Sequence, residues 1–71
     1  MAVSYNKLWK LLIDKRMKRI QLQKEAVISG NVLARLNKDE YVSLESLEKI
    51  CAALQCNIGD IMDFINDEKK A

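Results

Sequence analysis

Apolar residues recur at intervals of three and four positions along most of the 71-residue chain, a spacing that is typical of helices with one buried face. Proline is absent and glycine occurs only twice, so the helix ends are predicted from capping residues. The pattern predicts an all-α fold of five helices with no strand. The helices are expected at residues 5–16 after Ser4 as N-cap, 18 or 19–25, 30–38, 44–54 after Ser43 as N-cap, and 58–65 after Asn57 as N-cap.

The apolar faces of these helices predict a small core. In the first helix Tyr5 and the leucines at positions 8, 11 and 12 are expected to face inward, and Trp9 is expected to be partly buried. The fourth helix is expected to lie in the core. Its predicted inward residues are Leu44, Leu47, Ile50, Cys51 and Leu54.

The fifth predicted helix has the clearest start signal in the chain. Asn57 and Asp60 form a variant of the capping box. The apolar surface that follows exceeds what a short terminal helix needs to cover the core. Two interpretations remain open: all of it is internal, or Phe64 and Ile65 form a twofold dimer contact. The polar residues 66–71 are expected to fray.

Residues 18–38 have the pattern of two short helices joined by a tight turn, and they are the most informative stretch of the chain. The residues expected to form the buried side of this pair are Ile20, Leu22, Ala26, Ile28, Leu33 and Leu36. Ser29 stands where the second helix of the pair needs an N-cap. The residues expected to face outward on that helix are Gly30, Asn31, Arg35 and Lys38. Asn matches the donor and acceptor edge of adenine, and Arg matches the two acceptors of guanine, so this face indicates recognition of a DNA major groove.

The charge distribution supports this interpretation more strongly than the net charge of +2 does. Residues 1–38 contain nine Lys and Arg against two acids, a balance of +7, whereas residues 39–71 contain three Lys against eight acids, a balance of −5. A polyanion is therefore attracted to the first half and repelled by the second, which orients the molecule as it binds.

Catalysis and metal binding are not expected. The chain has no His, so it has no ready general base near neutral pH. Carboxylate pairs such as Glu45 with Glu48 are explained by an acidic solvent face. Cys51 and Cys56 lack metal-ligand spacing and are predicted to be reduced core thiols. No metal, cofactor or small-molecule ligand is therefore predicted.

The length indicates one domain, with a core over about residues 5–65. The apolar runs are too short for a signal peptide or a membrane span. We therefore expect a cytoplasmic protein that does not contact membranes.

Several motifs together carry a family resemblance over about residues 5–65. They are Leu22, Ala26, Ile28 and Ser29 around the turn, the Leu33 and Leu36 pair, and the segment SLESLEKICAAL leading to an Asn-capped helix with Asp60 and Ile61. In this order they resemble the Cro and phage-repressor type of helix-turn-helix domain, the Xre-like family. The resemblance implies a compact five-helix lambda-repressor-like DNA-binding domain. The segment YNKLWKLLIDKRM is also similar to short stand-alone members of the family.

Carried over by position, the resemblance implies which residues meet DNA. Those facing the bases of the major groove would be Ser29, Gly30, Asn31 and Arg35. Those meeting phosphates or the edge of the site would be Lys18, Arg19, Lys38 and Tyr41. For Arg35 the alternative is an ion pair with Asp39 one turn on.

The chain departs from the family pattern at two positions. Val27 stands where glycine is usual, because the turn often needs a positive φ angle, so this residue is expected to be strained or to force a different turn. Gly30 stands where many relatives carry a larger polar side chain. It cannot bind a base through a side chain, but it allows the backbone to approach DNA closely.

The leading hypothesis is a small transcriptional regulator, a repressor, that binds double-stranded DNA as a homodimer. The alternative is a protein-interaction module, such as the antitoxin of a toxin pair or an adaptor, whose acidic second half meets a basic partner. The basic third helix favours DNA.

Overall fold

A computed structural model describes residues 2–65, which form four α-helices, a short 3-10 helix and a two-stranded sheet. The elements in chain order are β1 (Ala2–Ser4), α1 (Asn6–Asp14), α2 (Arg19–Ala26), α3 (Gly30–Asn37), α4 (Leu44–Leu54), the 3-10 helix (Ile58–Asp60) and β2 (Asp63–Ile65). The predicted positions of the first four helices are confirmed to within two residues at either end. The polar tail predicted at residues 66–71 lies outside the described residues.

The predicted fifth helix is wrong. The capping box of Asn57 and Asp60 forms as expected, with Asn57 N donating to the Asp60 carboxylate at 2.9 Å. However, the helix that it starts is a single 3-10 turn, and Asp63–Ile65 is a strand. The backbone groups of this strand pair with β1, so a distant partner stabilises an extended conformation over the helix that local spacing favours.

The prediction of no strand is wrong for the same reason. β1 and β2 are antiparallel, and Val3 lies opposite Phe64. Ser4, predicted as the N-cap of the first helix, belongs to β1, and Tyr5 occupies the cap position without a side-chain cap bond. The Ser4 hydroxyl instead accepts a hydrogen bond from Asn6 N at 3.3 Å.

The predicted N-caps of α3 and α4 are confirmed. The Ser29 hydroxyl accepts a hydrogen bond from Val32 N at 3.2 Å, and the Ser43 hydroxyl accepts one from Ser46 N at 3.1 Å. Each satisfies an amide that the first helical turn leaves without a partner. These caps fix where α3 and α4 begin.

All four α-helices end in the same way, with a residue in the left-handed conformation that is not glycine. These residues are Arg16, Val27, Asp39 and Gln55, with φ between 54° and 57°. In each case the next residue donates its amide to the carbonyl five residues earlier, for example Ile28 N to Gln23 O at 3.2 Å. This bond is the signature of the Schellman motif, so the helices end in regular geometry without the residue type that adopts it most easily.

The core is formed by one contiguous set of side chains from the α-helices, β1 and the residues that flank them. Its members are Val3, Tyr5, Leu8, Leu12, Leu22, Ala26, Ile28, Leu36, Leu47, Ile50, Leu54 and Ile61. Each fully buried leucine or isoleucine contributes roughly 1.5–3 kcal/mol. Trp9 is half-buried, as predicted. Leu44 was expected in the core but is 73 % exposed, because it lies one turn before Leu47, where α4 first reaches the core.

Tyr5 ties the start of the chain to the loop that follows α3. Its hydroxyl donates to Glu40 O at 2.8 Å, and its amide donates to the Asp39 carboxylate at 3.1 Å. Burial, and secondarily the negative charge of Asp39, raises the pKa of the Tyr5 hydroxyl. The end of α3 is therefore held by the N-terminal segment. Within residues 2–65 no helix is long and apolar enough to cross a membrane.

Candidate nucleic-acid interface

The turn between α2 and α3 occupies only three residues. Val27 lies in the left-handed region at φ 55° and ψ 49°, so the turn keeps the geometry that glycine usually provides. The expectation of strain at Val27 is therefore met, whereas a different turn is not formed. Ile28 is buried beneath the turn and Ser29 caps α3. The two helices are thereby fixed at a corner.

The side of this helix pair that faces the core is close to the predicted one. Leu22, Ala26, Ile28 and Leu36 are buried, and Leu33 is partly buried. Ile20 was expected there but is 57 % exposed. In an α-helix a residue two positions from Leu22 points about 200° away from it, so Ile20 lies on the opposite side from the core.

The outer side of α3 forms a continuous exposed surface, which we call the reading face. Its residues are Gly30, Asn31, Ala34, Arg35 and Lys38, all exposed. Spacings of one, four, five and eight residues place them on one side of a helix of 3.6 residues per turn. Of these, Ala34 was not singled out from the sequence. Its signal is the spacing of four residues from Gly30, and a small methyl group can contact the methyl group of thymine.

Gly30 at the start of α3 is not required by packing. A Cβ atom built on it would have its nearest neighbour, Gln23 Nε2, at 4.0 Å. Its φ angle is not positive, so its conformation is open to other residues. The space that a side chain would occupy therefore lies open on the reading face.

The family resemblance assigns four residues to phosphates, and all four are exposed; one of them, Lys38, is also the last residue of the reading face. The four are Lys18, Arg19, Lys38 and Tyr41. Lys18 precedes α2, Arg19 opens it, and Lys38 follows α3. The structure thus leaves cationic and hydroxyl groups accessible at both ends of the helix pair.

Arg19 is the one residue of this set with specific side-chain contacts among the described residues. Its guanidinium carbon lies 3.8 Å from the centre of the Trp9 ring, and its Nη1 donates a hydrogen bond to Asn37 Oδ1. Neither Trp9 nor Asn37 was predicted to belong to the site. No sequence spacing indicates this cluster, because its three members come from three different helices.

Arg35 does not form the ion pair with Asp39 that was considered as an alternative. Within residues 2–65 no salt bridge joins Arg35 to Asp39. The Asp39 carboxylate instead accepts a hydrogen bond from the backbone amide of Tyr5. Arg35 is therefore accessible on the reading face.

The two residues considered for a dimer contact lie on β2. Phe64 is 62 % exposed and Ile65 is 47 % exposed. The interpretation that all of this apolar surface is internal is therefore wrong for these two side chains. Met62 and Ile61, nearer the 3-10 helix, do pack against the core.

These features define a helix-turn-helix DNA-binding domain: two short helices at a fixed corner, the second with a capped start and an exposed polar face. The family model of the Cro/C1-type HTH DNA-binding domain matches residues 7–67, and the chain belongs to this family. The fold is similar to the crystal structure of the transcriptional regulator VanUg, with a TM-score of 0.85, 50 % sequence identity and coverage of 87 % of this chain and 83 % of that chain. No curated protein sequence matches the chain significantly. The resemblance inferred from the sequence is thereby confirmed.

Proposed function

We propose that this protein is a transcriptional regulator that binds duplex DNA by placing α3 in the major groove. The observation that carries the proposal is the reading face, an uninterrupted row of small and polar residues on a helix whose other side packs against the core. A major groove is wide enough to admit one α-helix. Membership of a DNA-binding family and similarity to a transcriptional regulator support the same function.

Base recognition is assigned to Ser29, Gly30, Asn31 and Arg35, and Ala34 joins this set. Asn31 and Arg35 can each make two hydrogen bonds to one base, which gives them most of the discrimination. Gly30 lets the backbone at the start of α3 come close to the DNA. Ser29 is first a cap of α3, and its hydroxyl retains hydrogen-bonding capacity for the groove.

Phosphate contacts are assigned to Lys18, Arg19, Lys38 and Tyr41. They set the position of the domain on the duplex and supply affinity that does not depend on sequence. The excess of positive charge in residues 1–38 and of negative charge in residues 39–71 favours the orientation that presents these groups to DNA.

Repression as a homodimer is the simplest mode of action for such a domain. Occupying a promoter is sufficient to block it, and two copies on neighbouring half-sites supply the selectivity that a few base contacts cannot. The exposed Phe64 and Ile65 are the proposed contact between copies.

The salt dependence of binding tests this function. Affinity for duplex DNA should fall as salt rises, with a slope of log affinity against log salt of about −0.9 for each phosphate neutralised. Lys38→Ala should reduce the magnitude of the slope by about 0.9. The matched control is Lys49→Ala, which removes another exposed charge, from α4, and should leave the slope unchanged. Binding that does not vary with salt would contradict the proposal.

A further inference from the structure

Arg19 connects three helices at one edge of the reading face. It is the first residue of α2, its guanidinium stacks on Trp9 of α1 at 3.8 Å, and its Nη1 donates to Asn37, the last residue of α3. Neither partner has the burial of a core residue, since Trp9 is half-buried and Asn37 is exposed. The core alone therefore does not account for this arrangement.

These two contacts restrict a side chain that is otherwise long and flexible. The guanidinium carbon lies over the ring of Trp9, and the amide oxygen of Asn37 accepts a hydrogen bond from one of the guanidinium N–H groups. The remaining N–H groups have no hydrogen-bond partner within residues 2–65, and a planar guanidinium can present two of them to one phosphate. Within residues 2–65 no carboxylate pairs with Arg19, so its charge is not neutralised by the described part of the protein.

We infer that Trp9 and Asn37 are positioning residues that hold Arg19 ready for a DNA phosphate. The inference rests on the proposed function. A free arginine loses rotamer freedom when it binds, whereas an arginine that is already stacked and hydrogen-bonded loses less. Trp9 therefore strengthens DNA binding without touching DNA, and its effect acts entirely through Arg19.

A double-mutant cycle on the full chain tests this dependence, with a short duplex of mixed sequence as the probe. Arg19→Ala should weaken binding and reduce the magnitude of the salt slope by about 0.9. Trp9→Leu should weaken binding roughly 2- to 10-fold, the change expected when one long side chain must be ordered on binding. In the Arg19→Ala background, Trp9→Leu should cause no further loss.

Two further variants separate positioning from a general effect on the fold. Trp9→Phe keeps an aromatic face and should restore most of the affinity lost in Trp9→Leu. Ile13→Ala changes an exposed residue one turn further along α1 and should leave the affinity unchanged. The far-ultraviolet circular dichroism of each variant reports whether it is folded. If Trp9→Leu does not fold, Asn37→Ala replaces it in the same cycle.

The fluorescence of Trp9, the only tryptophan, gives a readout that a purely structural role would not move. Adding duplex DNA should change the emission of the unmodified protein and change it much less in the Arg19→Ala variant. If Trp9→Leu reduces the affinity equally in the unmodified protein and in the Arg19→Ala variant, the positioning role is wrong. DNA binding itself, the proposed function, would still stand. Absence of duplex binding by the unmodified protein would overturn both the proposed function and this inference.

Discussion

At the scale of single residues, the turn of the helix pair carries a conformational cost. Val27 is in the left-handed region, where a side chain at Cβ crowds the following carbonyl and costs roughly 1–2 kcal/mol. Its β-branched side chain is 75 % exposed, so little burial offsets that cost. The strain is a property of this sequence and not of the family fold, because glycine adopts the same conformation freely.

Val27→Gly should therefore stabilise the protein. Relief of the strain exceeds the extra backbone entropy of glycine in the unfolded chain, and we expect a net gain of about 1 kcal/mol. Urea denaturation measures it as a higher midpoint with an unchanged slope. Val27→Ala, which keeps a Cβ atom, is the control and should gain less than Val27→Gly. A lower midpoint for the glycine variant would show that the valine side chain contributes more than its conformation costs.

In the proposed function, selectivity also belongs to single residues, those of the reading face. Arg35→Ala or Asn31→Ala should cost about 1–3 kcal/mol on a preferred site and relax the preference at one or two base positions, because a paired base contact is lost. Lys38→Ala should weaken all sequences about equally, since the contact proposed for Lys38 is to a phosphate. Selection of bound fragments from a random pool, followed by titration, measures both effects. Unchanged binding of the preferred site by the Arg35→Ala variant would show that the reading face is assigned wrongly.

At the scale of elements, local signals were sufficient for three of the four predicted N-caps, and the fourth, Ser4, lies in β1 instead. The caps Ser29, Ser43 and Asn57 act on amides within three residues, so their positions were predictable and are confirmed. The strands were not predictable, because Ala2–Ser4 and Asp63–Ile65 are stabilised by each other across nearly the whole chain. For the same reason the cluster of Trp9, Arg19 and Asn37 on three helices escaped prediction.

The stability of the protein is expected to depend on pH in the alkaline range, because of Cys56, which follows the end of α4. Burial, reinforced by the neighbouring Cys51, raises the pKa of Cys56 from 9.0 to about 11. A thiol whose pKa is higher in the folded state contributes stability that is complete below the unfolded pKa and is lost as pH rises through the folded one. The loss is therefore expected between pH 9 and about 11.

Cys56→Ala should remove the part of the pH dependence of stability that comes from the titration of Cys56. The variant is expected to be less stable than the unmodified protein at neutral pH, because a small cavity replaces the thiol, but to lose less stability as pH rises. Thermal unfolding in the presence of a reductant, at a series of pH values across that window, measures the difference. Tyr5 titrates in both proteins and so cancels, whereas Cys51 loses its hydrogen bond with Cys56 in the variant, so the difference between the curves reports the pair of thiols. Parallel curves would contradict a titrating role for Cys56.

At the scale of the whole molecule, selectivity for a DNA site is limited by the number of base contacts that one domain can make. One domain presents a short reading face, and each correct base contact contributes only about 1–3 kcal/mol against a large excess of competing sites. Pairing two copies on half-sites about one helical turn apart multiplies the discrimination. The charge asymmetry alone cannot do this, because it attracts any duplex equally.

Charged substitutions on β2 test the proposed pairing. Phe64→Glu with Ile65→Lys should give a monomer with unchanged helical content, because both side chains are exposed and lie outside the core. The variant should bind a single half-site as the unmodified protein does but lose cooperative binding to a fragment with two half-sites. Ile20→Glu, an equally exposed apolar residue on α2, serves as the control for association and should still dimerise. Sedimentation of the unmodified protein as a monomer at high concentration, with one domain on each two-site fragment, would reject the dimer and leave a DNA-binding domain that acts alone.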